Sequence, residues 1–374
     1  MRVAILNPWF LVGGGGSKVV NVLASIFPTA EFFTLFYKIE KLPENLRGRT
    51  IHTSFLHRIP FIQQAYRPLL PLFPLAAESM DLRGFDVVIS CDASVVKGVV
   101  VDPNALHICY CHTPTRYAWD LYRTFGEHTS ALAKPFFYLT AHYLRQWDFL
   151  AAQRVDHFIA NSAYIAQRIR TYYRRESTVI YPPVDTSPAY ISKETADYYL
   201  SVGRLTHTKR LDLIVEACNR LGRLLVIAGS GKEERRLKAM AGPTVRFLGR
   251  VADQDLPALY ARCRAFLFAA DEDFGIAPVE AQSFGRPVIA YGHGGVLETV
   301  RGVDVDHPTG VFFPEQTTES VIVGIRQFEE IEDQFVPSFI RTHSQKFDTT
   351  VFAAAIRRFV EEAYAVRLAG KAHQ

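Results

Sequence analysis

The sequence has little net charge, few cysteines and no long hydrophobic run. Lysine and arginine number 42 against 38 aspartates and glutamates, which gives a formal net charge of +4 over 374 residues. This excess is too small to indicate a nucleic-acid-binding protein by itself. Five cysteines without close pairing exclude a disulfide framework. No stretch of about 18 apolar residues is free of charges and helix breakers, so we expect no membrane-spanning segment.

The first residues form a short apolar stretch that superficially resembles a signal peptide. The stretch lacks the small-residue cleavage pattern, and Pro8 and the glycines at 13–16 interrupt it. We interpret it as a first strand and turn, and we expect the protein to be cytoplasmic.

Apolar runs alternate with helical patterns along the whole chain, in an ordinary globular composition of 48% hydrophobic and 21% charged residues. This alternation predicts α/β architecture with parallel sheets. Predicted strands cover 3–7, 87–90, 106–111, 157–161 and 178–181 in the first half, and 199–202, 224–228, 245–248, 265–268, 287–290 and 310–313 in the second.

The length predicts at least two domains, and a proline-rich segment at 181–193 is the expected boundary. We predict an N-terminal acceptor-side domain at 1–185 and a C-terminal nucleotide-binding domain at 186–345. A C-terminal helix lies within 346–374, and packing against the N-terminal domain is one arrangement open to it. Ligands of open parallel sheets bind beyond the carboxyl ends of the strands, so the residues after each strand are the candidate site residues.

Three such segments contain glycines or charged residues that could bind a ligand. The glycines at 13–16 can expose backbone N–H groups to an anion, although a flexible turn is the alternative and the run is not a dinucleotide fingerprint. Arg204 and Lys209 flank the start of the next predicted helix. The helix dipole disfavours cations near a helix N-terminus. Two cations there therefore indicate an anionic ligand such as a diphosphate, and a solvated basic turn is the alternative.

Glu272 and Glu280 are separated by seven residues after the apolar strand at 265–268. Pro278 suits a first helical turn, which places Glu280 early in a helix and Glu272 in the loop before it. One carboxylate can accept hydrogen bonds from ribose hydroxyls while the other meets a second polar group. For Glu280 the alternative is a carboxylate that only complements the helix dipole.

The second half resembles the family-4 retaining glycosyltransferases of the GT-B fold. The residues that carry the resemblance are VGRLTHTK at 202–209, the Gly-Ser-Gly turn ending at 231, FLGRV at 247–251 and EDFGIAPVEAQSFGRPVIA at 272–290. The resemblance is strong over 199–300 and looser in the first half. It implies two Rossmann-like, doubly wound domains that face each other across a cleft.

The resemblance also implies roles for matched residues. Arg204 and Lys209 would hold the diphosphate of a nucleoside-diphosphate sugar, Glu280 its ribose hydroxyls and Glu272 the hydroxyls of its sugar. The remaining implied donor contacts are the backbone at Gly275 and Ile276, the base-side residues Gly249, Arg250 and Val251, the turn at Gly14 and Gly15, and His112, which would contact the transferred sugar. For His112 alone the alternative is a core histidine.

The segment HTPTRYAWD at 112–120 is similar to bacterial O-antigen and polysaccharide mannosyltransferases. It implies transfer of a hexose, mannose from GDP-mannose, onto a lipid-linked oligosaccharide or polysaccharide precursor. A UDP-sugar donor, a GT-B sugar-nucleotide epimerase and a non-catalytic partner subunit are the alternatives.

Three Asp-x-Asp triplets, at 253–255, 271–273 and 304–306, are too common a pattern to indicate a metal site. The cations at 204 and 209 supply the charge that a divalent ion would supply. We expect neither a metal ion nor a cofactor besides the donor.

Aromatic and basic residues are interleaved at 54–80 and at 134–175, where seven cations accompany two aspartates. This pattern suits an anionic membrane surface or a lipid-diphosphate acceptor, and we expect peripheral contact at the cytoplasmic face of the inner membrane. Ordinary packed helices with solvated outer faces are the alternative, and stacking on single-stranded nucleic acid is disfavoured.

Overall fold

The computed structural model describes residues 1–11, 14–127 and 129–371, which form two compact units. Unit 1 comprises Met1–Pro183 and Phe352–Gln374, and unit 2 comprises Val184–Val351. Each unit is a parallel sheet with helices packed on it, so the predicted α/β class with two parallel sheets is confirmed.

The sheet of unit 1 has seven parallel strands among the described residues, in the order β3-β2-β1-β4-β5-β6-β7. The strands are β1 Val3–Phe10, β2 Glu31–Tyr37, β3 Ile51–Thr53, β4 Val87–Asp92, β5 Leu106–Cys111, β6 His157–Ala160 and β7 Ser177–Val179. The helices are α1 Gly15–Ile26, α2 Ile62–Ala65, α3 Phe73–Glu78, α4 Tyr122–Glu127, α5 Lys134–Gln153 and α6 Ala163–Tyr173.

Unit 2 has six parallel strands in the described chain, in the order β10-β9-β8-β11-β12-β13. The strands are β8 Tyr199–Val202, β9 Leu225–Ala228, β10 Val245–Gly249, β11 Ala265–Phe268, β12 Val288–Tyr291 and β13 Gly310–Phe313. The helices are α7 Leu211–Leu221, α8 Glu234–Met240, α9 Leu256–Arg262, α10 Ile276–Ser283, α11 Val296–Thr299, α12 Thr318–Glu330 and α13 Pro337–Ser344. The last helix of the chain is α14, Thr349–Lys371.

Eight of these strands and helices were not predicted from the sequence: β2, β3, α2, α3, α4, α11, α12 and α13. Five of the seven residues of β2 are buried. A strand buried on both faces has no alternation of polar and apolar residues, which removes the signal that distinguishes it from other apolar runs. Helix α14 packs its buried side chains, Phe352, Ile356 and Val360, into one core of unit 1, together with residues of β1, β4 and β5.

In both sheets, successive strands are added first on one side of the first strand of the unit and then on its other side. In unit 2 the chain winds from β8 outward to β10, then returns to add β11 on the other side of β8. In open parallel sheets, such a reversal leaves a crevice beyond the carboxyl ends of the two strands that meet there, and in unit 2 these strands are β8 and β11. In unit 1 the corresponding pair is β1 and β4.

None of the helices in the described ranges combines the length and the hydrophobicity that crossing a membrane requires. Within the same ranges, no group of three His, Cys, Asp or Glu side chains is placed to hold a metal ion. All five cysteines are buried free thiols.

A buried ion pair joins β4 to α5 in unit 1. The Lys97 ammonium donates to Asp92 at 2.9 Å and to Asp148, and none of the three side chains is more than 2% exposed. Burial lowers the pKa of Lys97, but the carboxylates of Asp148 and Asp92 outweigh burial and leave that pKa well above its ordinary value. Asp148 also accepts from Thr115 and Trp119, at 2.8 and 2.7 Å, so the pair anchors the segment after β5.

We expect Lys97→Met to destabilise unit 1 by about 3–5 kcal/mol, because it leaves two carboxylates buried without their cation. Urea unfolding followed by circular dichroism measures the effect. The control is Arg83→Met, since the ion pair of Arg83 with Asp81 is exposed; it should leave the unfolding midpoint unchanged. Equal midpoints for Lys97→Met and wild type would contradict the assigned role of the ammonium.

Candidate active-site residues

The loops that follow β8, β9 and β10 in unit 2 meet at backbone level. The Gly229 N–H donates to the carbonyl oxygen of Gly249 at 2.7 Å, and the Gly203 N–H donates to that of Ala228 at 3.0 Å. A Cβ at Gly229, where φ is +147°, would lie 1.8 Å from the carbonyl oxygen of Gly203. Only glycine fits there, and its absence of a side chain lets the three loops form one surface at the carboxyl edge of the sheet.

Lys209 and Glu272 meet beside the crevice between β8 and β11. The Lys209 ammonium donates to Oε1 of Glu272 and lies 6.0 Å from the ring centroid of Phe268, the last residue of β11. Both side chains are partly exposed, 21% for Lys209 and 31% for Glu272. Two predicted site residues 63 positions apart are therefore in contact.

Arg204 and Lys209 lie on the connection between β8 and α7. Arg204 is exposed, and Lys209 ends a 3₁₀ turn that covers His207–Lys209. Helix α7 starts two residues later, so both cations precede a helix as the sequence analysis predicted. Arg204 is an exposed guanidinium and Lys209 a partly exposed ammonium on the same connection, and cations of both kinds bind the oxygens of a diphosphate.

The backbone of Glu272 is held by a glycine-rich turn that the sequence analysis missed. Glu272 forms an isolated parallel bridge with Gly294, and the Gly295 N–H donates to the carbonyl oxygen of Glu272 at 2.8 Å. His293 in the same turn places its Nδ1 3.0 Å from a carboxylate oxygen of Asp271. The signal was present in the sequence, because Gly292 to Gly295 follow an apolar strand in the same way as the other candidate loops do.

Glu280 is the fifth residue of α10, and the helix begins after Gly275. Gly275 has φ +87°, a left-handed conformation that favours glycine, and it turns the chain into the first residue of the helix, Ile276. The side chain of Glu280 is partly buried, and its Oε2 accepts a hydrogen bond from the Tyr260 hydroxyl at 2.9 Å. Glu280 therefore lies early in a helix, as predicted from Pro278.

The base-side residues predicted from the resemblance lie at the edge of the sheet. Gly249 ends β10, the outermost strand, and the strand register shifts between Phe247 and Gly249. Arg250 directly after the strand is exposed. Through the bond between Gly249 and Gly229, this edge is connected to the loop after β9.

In unit 1, His112 follows β5 and faces the first turn of α1. A Cβ at Gly16 would lie 3.4 Å from His112 Nε2, and Gly14 and Gly15 are the N-cap and the first residue of that helix. Gly13, also predicted as part of this turn, lies outside the described residues. The His112 backbone N–H donates to the carbonyl oxygen of Asp92 at 2.8 Å, while its Nε2 is buried without a hydrogen-bond partner. This geometry places a polar ring nitrogen at a helix N-terminus.

Burial lowers the pKa of His112 to about 4, against an opposing effect of the Asp92 carboxylate. The imidazole is therefore neutral near pH 7. Because the unfolded chain binds this proton at a higher pH, the contribution of His112 to stability is complete above about 6.5 and is lost as the pH falls towards about 4.

We expect the His112 ring to stay neutral down to about pH 5, because its protonated form is desolvated. Nitrogen chemical shifts of ¹⁵N-labelled imidazoles, assigned with His112→Gln, measure the titration. The same residue in urea-unfolded protein is the control and should titrate near 6.5. A midpoint near 6.5 in the folded protein would mean that burial does not act on this ring as described.

Two family models match consecutive parts of the chain, and solved structures share its fold. Residues 20–188 match the family described as Glycosyltransferase Family 4, and residues 185–339 match the family described as Glycosyl transferases group 1. Among solved structures, Anabaena Alr3699/HepE in complex with UDP-glucose is similar with a TM-score of 0.71 and 18% identity, over 97% of this chain and 100% of that chain. At that identity the likeness concerns the fold alone.

Two curated relatives are described as mannosyltransferases. The O-antigen chain mannosyltransferase RfbU of Salmonella typhimurium is 27% identical over 172 residues, which is 42% of this chain and 49% of the relative. The alpha-1,3/1,6-mannosyltransferase ALG2 of Mus musculus is 26% identical over 278 residues, 64% of this chain and 63% of the relative. The chain thus spans less than two thirds of the length of either relative. The two family matches together extend from residue 20 to 339, and the chain belongs to the family-4 glycosyltransferases of the GT-B fold.

Proposed function

We propose that this chain is a retaining glycosyltransferase that transfers mannose from GDP-mannose to a lipid-linked oligosaccharide or polysaccharide precursor. The observation that carries the proposal is the contact between Lys209 and Glu272 beside the β8–β11 crevice. It supports a site in which one side chain meets a diphosphate and the other a sugar. Relatives described as mannosyltransferases favour mannose, and the UDP-glucose complex of the Anabaena protein makes a UDP-sugar the alternative donor.

In the proposed reaction, the bond between the anomeric carbon and the diphosphate oxygen breaks, and an acceptor hydroxyl attacks the same face of the sugar. The acceptor proton passes to the departing phosphate, so the products are the glycoside and GDP. The difficult step is the charge that accumulates on the leaving diphosphate while the sugar becomes cationic. Arg204, Lys209 and the N-terminus of α10 are the groups proposed to stabilise that negative charge.

The Lys209 ammonium carries three N–H donors, and Glu272 accepts from one of them. Glu272 is proposed to orient this ammonium and to accept from hydroxyls of the sugar. Glu280 is proposed to accept from the ribose hydroxyls, with backbone at Gly275 and Ile276 near the sugar and Gly249 and Arg250 near the base. In unit 1, neutral His112 is proposed to contact the transferred sugar, and the turn at Gly14 and Gly15 to contact the donor.

We expect GDP-mannose to stabilise the protein more than GDP-fucose, UDP-glucose or UDP-N-acetylglucosamine in thermal unfolding. At a concentration of 100 times its Kd, a donor adds about 2.7 kcal/mol to the free energy of unfolding. Preference for a UDP-sugar would change the donor and keep the reaction class. Donor consumption in the absence of any acceptor, with release of free sugar, would favour the epimerase alternative.

Lys209→Ala should lower kcat roughly 100-fold, because it removes a cation from the departing diphosphate. The assay is formation of mannosylated acceptor from GDP-mannose at saturating donor. Lys238→Ala is the matched control, since Lys238 lies in the same unit and its ammonium pairs with Glu234 on the surface of α8. Full activity of Lys209→Ala would remove the diphosphate role from this residue.

The proposed lipid-linked acceptor also requires a membrane-facing surface, and unit 1 exposes a stripe of apolar residues along α5. The α5 stripe consists of four residues of the helix, Phe136, Leu139, Tyr143 and Leu150, and of Leu132 just before it. They are spaced three, four or seven residues apart, and each is at least 46% exposed. Exposed cations at Arg58, Arg67 and Arg123 belong to the same unit. Apolar and cationic groups together suit peripheral contact with an anionic membrane at its cytoplasmic face.

Leu139→Gln is expected to weaken binding to vesicles containing phosphatidylglycerol roughly tenfold, because one buried leucine contributes on the order of 1.5–3 kcal/mol. Co-sedimentation with vesicles measures the binding. Val366→Gln is the control: Val366 is 74% exposed on α14, which packs with α1 in a core separate from the one α5 contacts. If both variants sediment like wild type, the α5 stripe does not contact the membrane.

A further inference from the structure

A buried tyrosine contacts the Glu280 carboxylate in unit 2. Tyr260 belongs to α9 and is 2% exposed. Its ring stacks on Phe284 with 5.6 Å between centroids and an interplanar angle of 8°, and it lies 5.8 Å from the ring of Phe266. Contacts on two sides hold the ring in one orientation, so the direction of its hydroxyl is set by the packing of α9 against the sheet and α10.

The hydroxyl of Tyr260 donates to Oε2 of Glu280 at 2.9 Å. Burial raises the pKa of Tyr260 well above its ordinary value, and the charge of Glu280 acts in the same direction. The phenol therefore stays protonated and remains a donor. A hydrogen bond to a carboxylate is stronger than one between neutral groups, which makes it suited to fix the rotamer of a partly buried glutamate.

We propose that Tyr260 is a positioning residue that orients the Glu280 carboxylate towards the ribose hydroxyls of the donor. This inference rests on the proposed function, in which Glu280 accepts from those hydroxyls. Tyr260 acts through Glu280 and does not touch the nucleotide. The competing explanation is that Tyr260 only fills the space between α9 and α10, in which case its hydroxyl would matter for folding alone.

The two explanations predict different effects of removing the hydroxyl on the binding of nucleotides with and without ribose hydroxyls. Tyr260→Phe keeps the ring contacts with Phe284 and Phe266 and removes the donor. The probes are GDP and UDP, each compared with its 2′,3′-dideoxy counterpart by isothermal titration calorimetry. If Tyr260 orients Glu280, the variant binds the ribonucleotide roughly tenfold more weakly and the dideoxynucleotide as wild type does. The donor KM should rise with little change in kcat, since the interaction is present before the reaction starts.

Tyr198→Phe is the matched control. The Tyr198 hydroxyl donates to the backbone oxygen of Leu259 at 2.8 Å, so this variant removes a partly buried hydroxyl near the same helix without touching Glu280. It should bind both kinds of nucleotide as wild type does.

Equal weakening of ribonucleotide and dideoxynucleotide binding by Tyr260→Phe would overturn the inference, because a packing role predicts it. Unchanged binding of both ligands would also overturn it. In either case the wild type still binds the ribonucleotide, and the proposed function is unaffected. If wild-type protein binds neither GDP nor UDP, the proposed function fails and the inference fails with it.

Discussion

The reversal of strand order beside the first strand of each sheet is the constraint on which the site depends. In an open parallel sheet such a reversal leaves a crevice beyond the carboxyl ends of the two strands that meet there, which in unit 2 are β8 and β11. The loops after them must supply the surface there. Lys209 comes from one of these loops and Glu272 from the other, and their contact follows from the adjacency of β8 and β11.

Backbone packing completes this edge. Because Gly229 has no Cβ, the loops after β8 and β9 approach to a distance that any side chain would prevent, and the end of β10 is bonded to the same loop. The glycine-rich turn after β12 approaches the backbone of Glu272 closely enough to form a parallel bridge with it. Side chains with polar groups are thus presented from rigid loops, which reduces the conformational entropy that a bound ligand would have to remove.

In unit 1, a buried carboxylate and its hydrogen bonds hold the segment that follows β5. Asp148 on α5 accepts from Lys97, Thr115, Trp119 and the hydroxyl of Tyr173. The segment after β5 that begins at His112 is therefore tied to a buried carboxylate. Full satisfaction of that carboxylate makes the arrangement specific, since an unpaired charge at this depth would be strongly unfavourable.

Sequence alone determined the parallel α/β class, most of the strands, the helical position of Glu280 and the family. These properties depend on local patterns: apolar runs followed by glycine or polar residues, a proline in a first helical turn, and two glutamates with seven residues between them. Only the tertiary structure decided which distant side chains meet, such as Lys209 with Glu272 and Tyr260 with Glu280. It also revealed β2, which local patterns missed because both of its faces are buried. Contacts of this kind are set by strand order and by packing between elements, and neither leaves a periodic signal along the chain.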